Sequence, residues 1–271
     1  MRINNNLMAL NTFRQYTVNN GSAAAATEKL SSGVRINRAG DDAAGLAISE
    51  KMRAQIRGLT MASKNSQDAI SLVQTAEGAL TETHSILQRM RELAVQSASD
   101  TNQDEVDRGA LDAEFQALML EIDDVATKTA FNGKALLDGT FSAAIIQTGA
   151  NASDTLTITI GDMQADELAI DSSAIETQTN ASAAITAVDT AINTVSTQRA
   201  SLGALQNRLQ HKINNLDTSA ENLSAAESRI RDLDMAKEMT NYTKNNILVQ
   251  AATAMLAQAN AAPQGVLQLL Q

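Results

Sequence analysis

A three-four alternation of apolar residues through the C-terminal half constrains this chain more than any other feature. Ile185, Val188, Ile192, Val195, Arg199, Leu202, Gln206, Leu209, Ile213, Leu216, Ala220, Leu223, Glu227 and Ile230 share one helical stripe, and only Arg199, Gln206 and Glu227 are polar. A helix carrying so narrow a seam over about six heptads has to bury it along another helix. The N-terminal half offers the match. Met52, Leu59, Val73, Leu80, Leu87 and Ala94 recur at seven-residue spacing with Ser66 in the gap, and Ile56, Ile70, Ala62, Ala69 and Ala76 widen the stripe. The chain is expected to fold back on itself and bring its first and last segments to one place.

Magnitudes then select a shape. A helix from Ala47 to Ser97 is about 75 Å long at 1.5 Å per residue. A compact globule of this length is only about 50 Å across. The expected fold is mainly α, an elongated antiparallel helical bundle or coiled coil with a small β-hairpin region. So little core per residue leaves apolar surface for neighbours to cover. Aromatic residues make up 2% of the chain, Trp is absent and Pro263 is the single proline, which suits long helices packed through small side chains.

Several function classes fall away. Cysteine is absent, which removes disulfides and thiolate metal sites. No run of 18 apolar residues marks a membrane span. The start, Met1-Arg2-Ile3-Asn4-Asn5-Asn6, has no apolar core of a Sec-type signal peptide, so export would use another route. The net charge is −10, and Asp100 to Glu176 holds sixteen acidic residues against three basic ones. That argues against nucleic acid, which needs a basic footprint, and reads as a solvated outer surface. His84 and His211 fall on or beside the seams without the His-Glu-x-x-His spacing of a zinc protease. Asp100-Thr101-Asn102-Gln103-Asp104 opens like a calcium loop, but Glu105 and Leu111 stand where that loop needs Gly and Glu. Capping of the next helix explains the same residues. No catalytic, cofactor or metal residues are expected.

The coarse pattern is near-symmetric. A first helix runs from about Asn4 to Ser32 with a weak stripe of Ile3, Leu7, Leu10, Thr17 and Ala24, and Ser31-Ser32-Gly33 stops it. Val34 to Gly45 is a connector, the long helix follows to about Ser97, and a further helix with Phe115, Leu118, Ile122 and Val125 ends near Thr129. Phe131-Asn132-Gly133 breaks that helix. The period then becomes two, with strands over Phe141–Gln147 and Thr155–Ile160 joined through Gly149-Ala150-Asn151. After the seam helix, a last helix carries Met235, Met239, Tyr242, Val249 and Leu256 and is expected to stop near Asn260, before Pro263. The terminal helices are rich in Asn and Ala. Alone, such helices are marginal, because nucleation is costly and little apolar surface is offered.

Specific strings now matter. Leu30-Ser31-Ser32-Gly33-Val34-Arg35-Ile36-Asn37-Arg38-Ala39-Gly40-Asp41-Asp42-Ala43-Ala44-Gly45-Leu46-Ala47-Ile48 resembles the N-terminal signature of bacterial flagellins, as does Leu87-Gln88-Arg89-Met90-Arg91-Glu92-Leu93-Ala94-Val95-Gln96-Ser97. Phe131-Asn132-Gly133, Leu256-Ala257-Gln258-Ala259-Asn260, Pro263-Gln264 and Val266-Leu267 resemble the middle and C-terminal marks of that family. The resemblance covers nearly the whole chain and describes a minimal form with the two inner domains.

The resemblance implies a structural subunit of the flagellar filament, a helical homopolymer outside the cell. It implies a terminal-helix, inner-tube domain at 1–33 and 235–271, connectors at 34–46 and 229–234, and a rod at 47–228 with its β-hairpin region at about 136–176. The two terminal helices would pair as a second coiled coil, with Leu7, Leu10, Met239, Tyr242, Val249 and Leu256 in tube assembly. It further implies export by the flagellum's type III apparatus without a cleaved signal peptide, a cytoplasmic export chaperone on Met235 to Leu270, and a filament cap. Arg89, Leu93 and Glu114 match the patch by which flagellins meet a vertebrate Toll-like receptor, and the same surface is one that subunits cover in a filament. Two rivals stand beside this reading: a hook–filament junction protein of the same superfamily, and a filament-displayed enzyme.

Overall fold

The computed structural model describes residues 6–100 and 104–269, with side chains over 6–100 and 106–262. Ile3 of the first stripe and Thr101–Gln103 of the expected cap lie outside the described residues, as do the side chains of the apolar tail from Val266. Two compact units form, Met1–Ala54 with Asn222–Gln271, and Gln55–Glu221. Two long helices contribute to both: α2 (Ala43–Ser97) and α4 (Gln178–Arg231).

In the second unit α2 and α4 lie antiparallel. The Ser63 hydroxyl donates to Asp217 at 2.9 Å, and the Arg91 guanidinium donates to Asp189 at 2.5 Å. The two contacts lie 28 residues apart on each helix, so the helices run past one another without a slip. Val188, Val195, Leu202 and Leu209 of α4 are buried, as are Val73, Leu80, Leu87 and Ala94 of α2. Ala62, Ala69 and Ala76 are buried beside them, small enough for the backbones to approach closely.

A third helix, α3 (Gly109–Lys128), covers this pair with Phe115, Met119, Ile122 and Ala126. Its buried face is rotated from the expected one, because Leu118 and Val125 are only half-buried. The expected cap at Asp100 also needs correction. Among the described residues α3 is entered through a π-helical turn, Asp104–Arg108, and no side chain caps its start. Arg108 works instead on the helix before it: its Nε donates to the Ser97 carbonyl at 2.8 Å and a terminal nitrogen donates to that of Ser99 at 3.0 Å. The last carbonyls of a helix have no partner within it and carry the negative end of its dipole, so a buried cation there meets both needs.

Asn132 and Gly133 both have positive φ, at 50° and 76°, and close a two-residue turn between β1 (Ala130–Phe131) and β2 (Lys134–Ala135). The Phe-Asn-Gly string that was expected only to break the helix therefore builds a hairpin. The larger hairpin pairs β3 (Ala144–Gln147) with β4 (Thr155–Ile158), in register Ala144 to Ile158 and Gln147 to Thr155. Its turn rests on α2 at Gly58, where an added Cβ would stand 3.3 Å from the Ala150 Cα. Beyond Ile158 the chain leaves strand geometry yet stays packed, burying Ile160, Met163, Leu168, Ile170 and Ile175. Acidic residues of α3 hold this strap. Asp123 accepts from the Ala165 amide and Asp112 from the Ile175 amide, each at 2.8 Å.

The first unit contains α1 (Leu7–Ser32) and α5 (Met235–Leu269), which pack antiparallel. Gly33, with φ 71°, ends α1 in the left-handed conformation and its amide reaches the Lys29 carbonyl at 2.9 Å. The connectors bond to each other: the Arg35 amide donates to Arg231 at 2.7 Å and the Leu233 amide to Gly33 at 3.1 Å. Asp41 accepts from the amides of Arg38 and Asn37, which holds its carboxyl below the ordinary value, the Arg38 amide most. Asp42 caps α2 through the Gly45 amide at 2.9 Å, and a Cβ at Gly45 would collide with the Asp42 carboxylate at 2.5 Å. The Gly-Asp-Asp-Ala-Ala-Gly string is thus a turn, a cap and the first residues of α2. The ends of α2 and α4 in this unit are joined by Arg53 with Glu227 at 2.8 Å and Arg231 with Glu50 at 2.6 Å, so the polar seam residue Glu227 is satisfied. One boundary differs from expectation: α5 does not stop near Asn260 but continues through Pro263 to Leu269.

Leu209→Asp places an unpaired carboxylate at a fully buried seam position. It is expected to lower unfolding stability by at least about 3 kcal/mol, read as a shifted urea midpoint, and an unchanged midpoint refutes the seam.

Candidate assembly interfaces

The terminal helices are built the wrong way round for a self-contained pair. On α1 the least exposed positions are Ala9, Thr12, Tyr16, Asn19, Ala23, Ala26, Lys29 and Leu30, and on α5 they are Glu238, Tyr242, Asn245, Val249, Ala252, Leu256 and Ala259. Both sets follow three-four spacing, so each is one helical face. Most of these side chains are small or polar. Only Ala26 of α1 is fully buried, with Ala252 and Ala259 of α5. The large apolar side chains point outward instead: Leu7 is 72% exposed and Met239 49%, in company with Met8, Leu10, Phe13, Val18, Ile247 and Met255.

The tube residues read from sequence therefore separate into two groups. Tyr242, Val249 and Leu256 are half-buried on the face of α5 that carries Ala252 and Ala259. Leu7, Leu10 and Met239 are exposed. The weak stripe expected on α1 is not the face turned to α5, because that face begins at Ala9 and follows the alanines.

The second patch lies on the other unit. Arg89 Nε donates to Glu114 at 2.9 Å across α2 and α3, while a terminal nitrogen meets Glu92 one turn on at 3.0 Å. Glu114 first, then Glu92, raises the affinity of the Arg89 guanidinium for its proton, and Asp189 does the same for Arg91. Arg89, Glu92 and Glu114 are exposed, so the group is a surface brace that a partner could reach. Leu93 differs. It is 0% exposed and belongs to the core, which corrects its placement among contact residues. The helix turn that presents Arg89 outward presents Leu93 inward. Exposed Val95, Val106 and Leu120 are apolar surface on α2, the π-helical turn and α3 that the heptad reading missed, since it sought only inward stripes. Among the described residues no three His, Asp or Glu side chains gather as a metal site, and no helix is long and apolar enough to cross a membrane.

Known proteins match this architecture end to end. The family model for the bacterial flagellin N-terminal helical region matches residues 3–142, and that for the bacterial flagellin C-terminal helical region matches residues 185–270. The chain is 58% identical over 273 aligned positions to a flagellin of Halalkalibacterium halodurans, and 55% identical over 304 to one of Bacillus subtilis, covering all of both chains in each case. Against the crystal structure of Bacillus cereus flagellin it is 38% identical, with a TM-score of 0.52, covering 60% of this chain and 94% of that one. The chain belongs to the bacterial flagellins, structural proteins rather than enzymes, and is a subunit of the flagellar filament outside the cell.

Proposed function

We propose that α1 and α5 are the polymerising part of the subunit and form the inner tube of the filament. One observation carries this: on the face between the two helices only Ala26, Ala252 and Ala259 are buried, while Leu7, Leu10, Phe13, Met239, Ile247 and Met255 are exposed on the outside. Ordering a backbone costs about 1–2 kcal/mol per residue. The buried alanine methyls return about 0.8 kcal/mol each, and Tyr16, Leu30, Tyr242, Val249 and Leu256 add only half-buried surface, so the pair by itself is weakly held. Copies of the same pair, packed side by side, would cover the outward side chains and supply the missing free energy. The ends then become ordered as the subunit joins the growing tip.

A chain whose ends fold only on joining suits passage through a narrow export channel. We take the type III apparatus as that route. A cytoplasmic chaperone would cover the apolar side chains of α5 before export, and a filament cap would hold arriving subunits. The brace of Arg89, Glu92 and Glu114 is read as a lateral contact between subunits, and its exposure in the single chain supports recognition by a Toll-like receptor where a vertebrate meets the monomer. Leu93 supports that surface from beneath. Full-length identity to flagellins favours a filament subunit over the hook–filament junction protein, and the short region between β2 and α4 favours it over a displayed enzyme.

Removing the residues before Gly33 or after Met235 is expected to abolish polymerisation while the second unit stays folded and soluble; filaments from either truncated chain, seen by electron microscopy, refute the tube assignment. In the purified monomer, amides of α1 and α5 should exchange fast while those between Val188 and Leu209 stay protected, and equal protection contradicts ordering on assembly. Leu93→Ala should destabilise the monomer by about 2–5 kcal/mol as a core truncation. Glu114→Ala should leave the monomer Tm unchanged and act only on filament growth or receptor binding, and a large fall in Tm overturns its assignment as a contact.

A further inference from the structure

The end of α5 holds a defect that another part of the chain repairs. Proline has no amide hydrogen, so a helix running through Pro263 leaves the carbonyl four residues earlier, that of Ala259, without its main-chain donor. Ala259 is only 5% exposed, so bulk water is a poor substitute. The Asn6 side-chain amide stands there instead: its Nδ2 donates to the Ala259 carbonyl at 2.7 Å, from 253 residues away in sequence. The same amide uses its other atom at home, where Oδ1 accepts from the Ala9 amide at 3.1 Å and caps α1.

We infer that Asn6 and Pro263 form a register latch. Pro263 opens the Ala259 carbonyl, Asn6 closes it, and the pair selects the one alignment of α1 on α5 in which the chain joins a filament. Few side chains can do both tasks. Asp accepts but has no hydrogen to donate, and Ser is too short to cap one helix and span to the other. The latch is needed because the face between the helices specifies alignment weakly. Only Ala26, Ala252 and Ala259 of that face are buried, while the larger Tyr16, Leu30, Tyr242, Val249 and Leu256 are half-buried, so little apolar burial opposes a slide by one turn of about 5.4 Å. At the opposite end the bonded connectors already fix the pair, through Arg35 with Arg231 and Gly33 with Leu233. Asn6 supplies the second fixed point, and two fixed points define an alignment. That alignment sets where Leu7 and Leu10 stand relative to Met255 and Ile247 on the outward surface that neighbouring copies would meet.

The inference deepens the reading of α1 and α5 as the polymerising part, and its test is separate from the truncations. Four full-length chains are compared: the unaltered protein, Asn6→Ser, Pro263→Ala and the double substitution. Serine caps a helix about as well as asparagine, so Asn6→Ser removes the donation and keeps the cap. In the chain that retains Pro263, Asn6→Ser should raise the critical concentration for seeded filament growth about tenfold. In the Pro263→Ala chain the main-chain amide returns, and the same substitution should change it less than about twofold. Equal effects in both backgrounds, or none in either, overturn the latch while leaving the truncation result to decide the tube. Should Pro263→Ala alone prevent assembly, a nitrogen–carbon correlation between Asn6 Nδ2 and the Ala259 carbonyl in filaments of the unaltered protein decides, and its absence overturns the proposal.

Discussion

The burial of the α4 seam along α2 is the interaction on which the second unit depends. Val188, Val195, Leu202 and Leu209 are buried every seventh residue, about two turns apart, and α2 answers with Val73, Leu80 and Leu87. Leu, Ile and Val seams specify alignment because a shift of one residue rotates them out of contact. Polar contacts then follow this alignment rather than create it. Ser63 finds Asp217 and Arg91 finds Asp189 because the apolar rows have already placed them. An exposed ion pair such as Arg91 with Asp189 contributes little alone, and the matched spacing of the two contacts is better read as a record of the register.

On that two-helix floor, α3 and the strap solve a problem of irregular chain. A segment that buries Ile160, Met163, Leu168 and Ile170 without strand partners needs other acceptors for its amides. Asp112 and Asp123 provide them from α3, and the Gln116 side chain donates to the Ser173 carbonyl at 3.0 Å. Part of the acidic excess of the middle region is therefore structural. Composition alone assigned all of it to a solvated surface, since a count of carboxylates cannot separate those facing water from those facing an amide.

The same limit explains which features were legible. Long periodic helices declare themselves because every seventh residue repeats one demand, so α2 and α4 could be placed within a few residues. The alternation of Thr155 to Ile158 likewise announced β4. What escaped were arrangements satisfied at a distance. Asn6 reads as an ordinary helix cap, and nothing near it in sequence points to Ala259. Pro263 reads as a helix stop, because the rule against interior proline assumes that the freed carbonyl stays unpaired. Arg108 resembles any surface arginine until its position below the end of α2 is known. On α1 and α5 the pattern did not separate Tyr242, Val249 and Leu256, which lie between the helices, from Leu7, Leu10 and Met239, which lie outside, since large side chains all face inward in a protein that is complete as one chain.

That assumption fails at the ends of this chain, and its failure carries the functional meaning. A globular domain puts bulk inside and small polar groups outside, since burial per side chain is what offsets chain entropy. The second unit obeys, whereas α1 and α5 partly invert the order: the buried residues between them are alanines, larger ones such as Tyr242, Val249 and Leu256 are only half-buried, and Leu, Met, Phe and Ile stand on the outer surface. Inversion is unfavourable for a solitary molecule and favourable for one of many, because small residues bring two helices close and large ones then interlock with the next pair. On the proposed reading of α1 and α5, such a subunit would stay unpolymerised until it reaches the growing end, because its apolar surface is covered only when several copies present it in one alignment. Net charge works in the same direction. At −10 for the chain, with the excess concentrated in the second unit, free subunits repel one another. Contact between copies must outweigh that repulsion, which makes association depend on many helix pairs fitting together rather than on any single collision.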